Sequence, residues 1–446
     1  MVEVSYPSQS LSQAAITVPV FSDLEIQNLA ERYGTPSYVI DEETLRQKAA
    51  ILEQAYSEFI GHTMIAYSVK SNFNPAVLRV FISEGILFDI TSIGELEFYL
   101  RAGGDPENAI YTSITEEEDE YKSVLMNGVR KIVVSSYNGL LNLISSTRYI
   151  GVIALALVRV NPEVGVKAVV SASYVNGKFG VPFYSHTVDS AENLIRKIMI
   201  SETLTFEGIH FHLGSQIEDP NCFIHALDKM EIFVEKMKYE FPDFTMGIMD
   251  VGGGMPVNYG TTVPSPMEIG KIISDRLNIM SKNLDLTFTL IVESGRFLTA
   301  ESSILISKVV NSKAHNGGKF IIVDAGYHLL LDAALLHQEY PQEVIPRSTL
   351  DDNSQISVVG RLCDTLDTFP SSSNSNLAGA ENGKLLVFRN TGAYSLVFNM
   401  PFHCQTKPIV LMRRINGNVE VVRKGETIED LFEREGGNIR LSSSRT

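Results

Sequence analysis

The sequence predicts an α/β protein: a closed (β/α)8 barrel of the TIM type followed by a C-terminal β domain of sandwich or barrel-like form. Three observations predict it. Between residues 42 and 300, eight apolar runs alternate strictly with helical stretches, which is the count of a closed barrel and more than an open doubly wound sheet usually carries. After Arg296 the texture changes to short strand-like runs separated by turns. One further strand, at 36–40, precedes the alternation. The division that follows is an N-terminal segment over 1–41 whose strand joins the β domain, a barrel over 42–300, and a β domain over 301–446.

The elements follow in order. Residues 1–20 are irregular and rich in Ser. Ser22 caps a short helix, with Glu25 three residues on completing a capping box. Helix 43–60 gives way to strand 63–69, helix 75–84 to strand 86–90, and helix 93–102 to strand 109–112. Helix 115–127 leads to strand 131–135, and helix 137–146 to strand 152–160. Helix 186–200 precedes strand 205–211, helix 221–240 precedes strand 247–251, and helix 266–283 precedes strand 288–292. The later strands are 303–310, 319–323, 355–359, 384–388, 409–414 and 419–423. Turns at Asn316-Gly317-Gly318 and Asn416-Gly417-Asn418 separate several of them, and 370–376 is a polar surface loop.

A chain of 446 residues is too long for one ordinary core. The net charge of −16 argues against binding nucleic acid or an anionic membrane surface. Three cysteines, Cys222, Cys363 and Cys404, are too few and too scattered for a disulfide framework or a metal-ligand spacing, which suggests a reducing cytoplasm. The start of the chain has no basic segment followed by an apolar stretch, so no signal peptide is expected, and no uncharged apolar run reaches membrane-spanning length.

Several strand ends carry chemistry. Lys70 closes the run 63–69 and precedes a loop marked by Asn72, Asn74 and Pro75, the place where barrels put reactive groups. Partial burial there lowers an ammonium pKa and frees the amine as a nucleophile, although a lysine packed by its stem would fit the same position. Gly252, Gly253 and Gly254 follow strand 247–251 and offer backbone N–H groups to an anion, normally phosphate. His210 and His212 share one side of strand 205–211, since side chains alternate with period two. A zinc pair would lack a third ligand, so no metal is expected. His210 reads as a satisfied core histidine and His212, beside Gly214 and Ser215, as the site candidate. Glu293 and Arg296 end strand 288–292, Cys363 lies between Gly360 and acidic residues, and Tyr394 follows a strand at a turn.

Taken together and in order, these pieces resemble the pyridoxal-phosphate decarboxylases of alanine-racemase-like fold, the group of diaminopimelate, ornithine, lysine and arginine decarboxylases. The matching segments begin at Tyr67 to Asn72, Phe88 to Glu95, Arg159 to Pro162 and Lys178 to Gly180. They continue with His212 to Gln216, Gly252 to Gly254, Glu293 to Arg296, Asp324 to Gly326, Cys363 to Asp367 and Gly392 to Tyr394. The resemblance implies that Lys70 holds pyridoxal 5'-phosphate as a Schiff base and that His212 stacks on its ring. It implies that Glu293 pairs with the pyridine nitrogen, supported by Arg159 and Asp89, so that the ring draws off the electrons left by departing CO2. Ser215, the three glycines, Arg296 and Tyr394 would grip the phosphate. Cys363 would act as the acid at the α-carbon, contributed across a homodimer whose active sites are shared, with Asp364 beside it at the distal end of the amino-acid substrate.

The chain departs from the diaminopimelate pattern in four ways that bear on substrate, the mildest being Glu293-Ser294-Gly295-Arg296 for the usual Glu-Pro-Gly-Arg. Cys363-Asp364-Thr365 replaces the usual Cys-Glu-Ser. Counted without gaps from Asp324, the usual arginine and tyrosine are Asp332 and Leu336, and an acid in place of that arginine would repel a distal carboxylate. A basic or specialised-metabolite amino acid is therefore the expected substrate. The alternatives are a diaminopimelate decarboxylase of lysine biosynthesis and a non-catalytic homologue that acts by binding a partner.

Overall fold

The structure is a computed structural model and describes residues 21–315, 318–347, 355–371, 377 and 379–437. The segment 1–20, the turn at 316–317 and most of the loop at 370–376 lie outside these residues.

Strand β1 (Ser37–Asp41) comes first. The barrel strands are β2 (Thr63–Ser68), β3 (Leu87–Ile90), β4 (Ala109–Thr112), β5 (Lys131–Val134) and β6 (Ala154–Arg159). After an outlying strand β7 (Ala168–Ser171) comes β8 (Leu204–His210); after a second, β9 (Gly214–Ile217), come β10 (Ile248–Asp250) and β11 (Thr289–Ser294). The eight close in the order β10-β11-β2-β3-β4-β5-β6-β8, every pairing parallel. All eight strands anticipated from the apolar runs are present. Several of the helices between them start where a short polar side chain takes an orphan N–H. Ser92 accepts from Glu95, Ser136 from Gly139, Ser190 from Asn193 and Ser265 from Glu268.

The barrel interior explains where the polar site sits. Ala66, Leu87, Ile110, Val133, Leu157, Ile248 and Ile291 form one buried cluster, one residue from each of seven strands. The eighth strand contributes Gly208, where a Cβ would come within 2.0 Å of the Ile248 carbonyl oxygen. Two positions further along, on the same face of each strand, the residues are Ser68, Asp89, Thr112, Ser135, Arg159, His210, Asp250 and Glu293. An apolar layer thus floors a polar one at the C-terminal mouth, as barrel packing in layers requires.

The remaining strands, β12 (Ser303–His315), β13 (Gly318–Val323), β14 (Gln342–Ile345), β15 (Gln355–Val359), β16 (Thr368–Phe369), β17 (Leu385–Arg389), β18 (Ile409–Arg413) and β19 (Val419–Arg423), form the second sheet with β1. β1 lies antiparallel to β12 and parallel to β18. The turn at Asn416-Gly417-Asn418 joins the antiparallel pair β18 and β19, with Gly417 at φ +82°.

Five readings of the sequence change. The helix read at 43–60 ends at Ala55, and the one read at 186–200 begins at Ala191. Ser22 accepts from the Glu25 N–H at 3.2 Å, but the Glu25 carboxylate turns to Arg413, 3.2 Å away, and closes no capping box. β14 was unforeseen because Pro341 and Pro346 flank it, and proline reads as a breaker. β7 and β9 pair antiparallel across more than forty residues of chain, Val170 opposite Ser215, and carry residues to the barrel mouth.

Candidate active site

A cavity of about 430 Å³ opens at the C-terminal end of the barrel. Lys70, Asp89, Arg159, His212, Ser215 and Glu293, named from five separate motifs, line it together. Thr91, Thr112, Ile114, Val170, Ala172, Lys178, Phe179, His210 and Gly214 complete the lining. Val170 and Ala172 were invisible to motif reading, since they reach the mouth only through the β7–β9 pairing.

Lys70 stands in a short 3-10 turn, Val69–Ser71, directly after β2. Its side chain is 42% exposed and its Nζ lies 3.2 Å from Asp89 Oδ2. Burial works against the ammonium, but the Asp89 and Glu293 carboxylates more than offset it and raise the pKa above the ordinary lysine value. This corrects the sequence-based expectation of a lowered pKa: a lysine facing two carboxylates keeps its proton.

Glu293 is 3% exposed, and its Oε1 lies 3.1 Å from His210 Nε2. Burial opposes its charge, yet His210 and Lys70 hold the carboxyl well below the usual range. Asp250 is wholly buried; burial and the Glu293 charge push its carboxyl well up, although its Oδ1 accepts from the Gly252 N–H at 2.9 Å. Three buried carboxyls, Asp89, Asp250 and Glu293, face the cations Lys70 and Arg159, and Asp250 relieves the excess by keeping its proton. Burial lowers the Arg159 pKa against the pull of Glu293 and Asp89, and its guanidinium lies 4.7 Å from the centre of the Phe179 ring.

His212 accepts the Gly253 N–H at its Nδ1, 3.0 Å away. That bond fixes the tautomer with hydrogen on Nε2. Burial pushes the pKa down to about 3; Glu293 opposes the shift, and Lys70 and Arg159 add to it. Between the ordinary value of 6.5 and about 3, the unfolded chain takes a proton here that the folded chain refuses. Folding stability therefore falls as pH drops through that window. His212→Phe is expected to lose less stability than the parent between pH 7 and pH 4, by on the order of 2 kcal/mol. Urea midpoints at the two pH values check this, and parallel losses in both proteins would refute it.

The three glycines do more than present N–H groups. Gly252, at φ +67°, would put a Cβ 2.4 Å from the Phe211 carbonyl oxygen, and Gly253 would put one 2.8 Å from that of Glu293. Close approach of β10, β8 and β11 demands both glycines. Two of the N–H groups are engaged within the chain, Gly252 with Asp250 and Gly253 with His212, so Gly254 is the one left to face an anion. Arg296 lies nearby: its Nε is 3.4 Å from Ser215 Oγ, its Nη1 is 3.4 Å from the Tyr259 hydroxyl, and its guanidinium stacks 4.7 Å from the Tyr394 ring centre. Tyr259 belongs to no motif and was missed.

The substrate candidates lie elsewhere. Asp332 is 3% exposed, on the short helix Leu331–Leu335, with Oδ2 3.7 Å from Arg296 Nη1. It is neither on the surface nor part of the cavity lining. Leu336 caps the end of that helix. Cys363 is exposed, and its N–H donates to His403 Nδ1 at 3.4 Å. Asp364 accepts from the Tyr327 hydroxyl at 3.1 Å. Neither Cys363 nor Asp364 lines the cavity of its own chain. Among the described residues the pair His210 and His212 does not gather a third ligand; His210 instead clusters with Asp250 and Glu293, their atoms within 4.8 Å. His210 and Glu293 already bond each other there.

The chain is similar to known proteins along most of its length. Residues 43–300 match the family model "Pyridoxal-dependent decarboxylase, pyridoxal binding domain". The chain is 32% identical over 412 residues to the diaminopimelate decarboxylase of Vibrio cholerae serotype O1, covering 91% of this chain and 94% of that one. It is 31% identical over 429 residues to the enzyme of the same name from Methanothermobacter thermautotrophicus, covering 93% and 94%. The crystal structure of diaminopimelate decarboxylase from Helicobacter pylori complexed with L-lysine superposes with a TM-score of 0.82 at 27% identity, over 93% of this chain and all of that one. The residues present fit a pyridoxal phosphate: an amine at the cavity wall, a glycine turn into which no side chain could grow, and a buried, ionised carboxylate facing the cations Lys70 and Arg159. With a matching family model over most of the barrel and relatives alike along nearly its whole length, the chain belongs to the pyridoxal-phosphate-dependent amino-acid decarboxylases of alanine-racemase-like fold.

Proposed function

We propose that this decarboxylase acts on an amino acid whose distal end is cationic or uncharged, such as lysine or ornithine. The observation that carries the reading is the buried Asp332 beside Arg296, 3.7 Å apart. Asp332 stands where the resemblance expects the arginine that would hold a distal carboxylate, so that cation is replaced by an acid. Asp364, half-buried and bonded to Tyr327, supplies a second acid suited to a distal ammonium.

Bound in the cavity, pyridoxal phosphate supplies an electron sink for the pair left on the α-carbon when CO2 departs. Lys70 Nζ is the amine that would hold it covalently. His212, neutral above a pH of about 3, offers a flat face that does not change charge in the working range. Glu293, kept ionised, would hold a proton at the ring nitrogen, with Arg159 and Asp89 balancing the surrounding charge. Ser215, the Gly254 N–H, Arg296 and Tyr394 would receive the phosphate. The apolar layer beneath excludes water from the floor. In this reading the chain forms a homodimer in a reducing cytoplasm, and Cys363 of the partner subunit reaches the cavity to return a proton to the α-carbon.

A second reading, decarboxylation of meso-diaminopimelate, is favoured by the names of the relatives at 31–32% identity. A CO2-release assay on cofactor-loaded protein with lysine, ornithine, arginine and meso-diaminopimelate separates the two. The expected result is a kcat/KM for lysine or ornithine at least about tenfold above that for meso-diaminopimelate. The opposite preference would overturn the proposal.

A further inference from the structure

His210 read as a satisfied core histidine, and the structure satisfies only half of it. The residue is 1% exposed. Its Nε2 meets Glu293 Oε1 at 3.1 Å, while its Nδ1 is buried with no hydrogen-bond partner among the described residues. A histidine placed for structure alone would have both nitrogens paired. This one makes a single bond, to the carboxylate at the centre of the site.

The strand register explains how it gets there. Arg159, His210 and Asp250 are direct partners across β6, β8 and β10. They form one rank of the polar layer, and Glu293 on β11 faces it. Every titratable or charged group against Glu293 is accounted for: Lys70 after β2, Asp89 on β3, Arg159 on β6, His210 and His212 on or just after β8, and Asp250 on β10. Of these, His210 is the one hydrogen-bonded to the Glu293 carboxylate. With Oε1 held by Nε2, the second oxygen, Oε2, is left for another partner.

We propose that His210 is a positioning residue for the cofactor, fixing the Glu293 carboxylate through its Nε2–H so that the free oxygen meets the ring nitrogen. Groups that orient a ligating carboxylate or imidazole from behind commonly change ligand affinity by 10- to 100-fold. The inference rests on the reading that places Glu293 at the ring, and the test separates the two.

Apo protein is titrated with pyridoxal phosphate, and affinity is read from the growth of the visible absorption band, for the parent, His210→Phe, His210→Gln, Glu293→Gln and the double variant His210→Phe/Glu293→Gln. The expected result is roughly 10- to 100-fold weaker binding by His210→Phe. His210→Gln, whose amide N–H reaches the same place, stays within about threefold of the parent. In the Glu293→Gln background, His210→Phe adds less than about threefold, because the two residues act as one unit. Parent-like affinity in His210→Phe, equal losses in the Phe and Gln variants, or losses that multiply in the double variant would each overturn the inference. Unchanged binding by Glu293→Gln would instead remove the reading on which it rests. Should His210→Phe not fold, His210→Asn, too short to reach Glu293, takes its place with the same expectations.

Discussion

Lys70→Ala will abolish the visible absorption band of the cofactor-loaded protein and lower CO2 release by at least about a thousandfold, the scale on which losing a covalent catalytic group is felt. The fold should survive. The Lys70 side chain is 42% exposed and contributes no packing to the apolar layer. Asp89, deprived of the ammonium 3.2 Å away, can take up a proton, since burial and Glu293 already raise its pKa. An uncompensated buried charge is thereby avoided, and the cost in stability stays small. Thermal unfolding measured beside the absorption spectrum separates loss of attachment from loss of fold. A variant that keeps the band would remove Lys70 as the attachment point. A further consequence comes from the raised pKa of Lys70: its amine attacks only when deprotonated, so the rate at which apo protein captures the cofactor should climb with pH through the alkaline range. A flat profile would contradict the carboxylate control of this lysine.

Glu293→Ala carries the second largest effect, and it acts on two quantities. Activity should fall by on the order of 100-fold or more, because preorganised charge at the reacting system is lost. Stability should fall by only about 1–3 kcal/mol, less than the 3–5 kcal/mol typical of breaking a buried ion pair. Asp250 is the reason for the difference. It holds its proton because burial and the Glu293 charge oppose ionisation. With Glu293 gone, the repulsion is gone, and Asp250 can ionise opposite Arg159 and Lys70. The double variant Glu293→Ala/Asp250→Asn should therefore be destabilised by more than the two single variants summed. Chemical denaturation of the four proteins checks this coupling, and strict additivity would refute the compensation.

Much of this molecule was legible in its sequence. Strands of a parallel barrel are buried on both faces, so they read as continuous apolar runs, and all eight were found. The candidate site residues Lys70, His212 and Glu293 were legible because they stand at or just past the ends of those runs. Errors arose where a distant residue intervened. Glu25 was read as half of a local capping box, but Arg413, 388 positions away, takes its carboxylate. β14 was hidden by its flanking prolines. The polar layer at the barrel mouth was also legible in principle. Counting two residues on from each apolar core position names Asp89, Arg159, His210, Asp250 and Glu293 together, and such a count would have drawn His210 and Asp250 into the site.

The resemblance of its motifs pointed to the family. The sequence by itself also determined the barrel, the β domain and the lysine at the mouth of the barrel's first strand. All of these follow from residue type and spacing along the chain. The tertiary structure alone decided the charge of each group. It showed that Lys70 keeps its proton, that His212 refuses one, that Asp332 is buried against Arg296 and that His210 holds Glu293. Charge state depends on distances through space: a count along the chain can name the side chains that β3, β6, β8, β10 and β11 bring to one layer, but it does not give the separations, such as the 3.1 Å between His210 and Glu293, that set their charge.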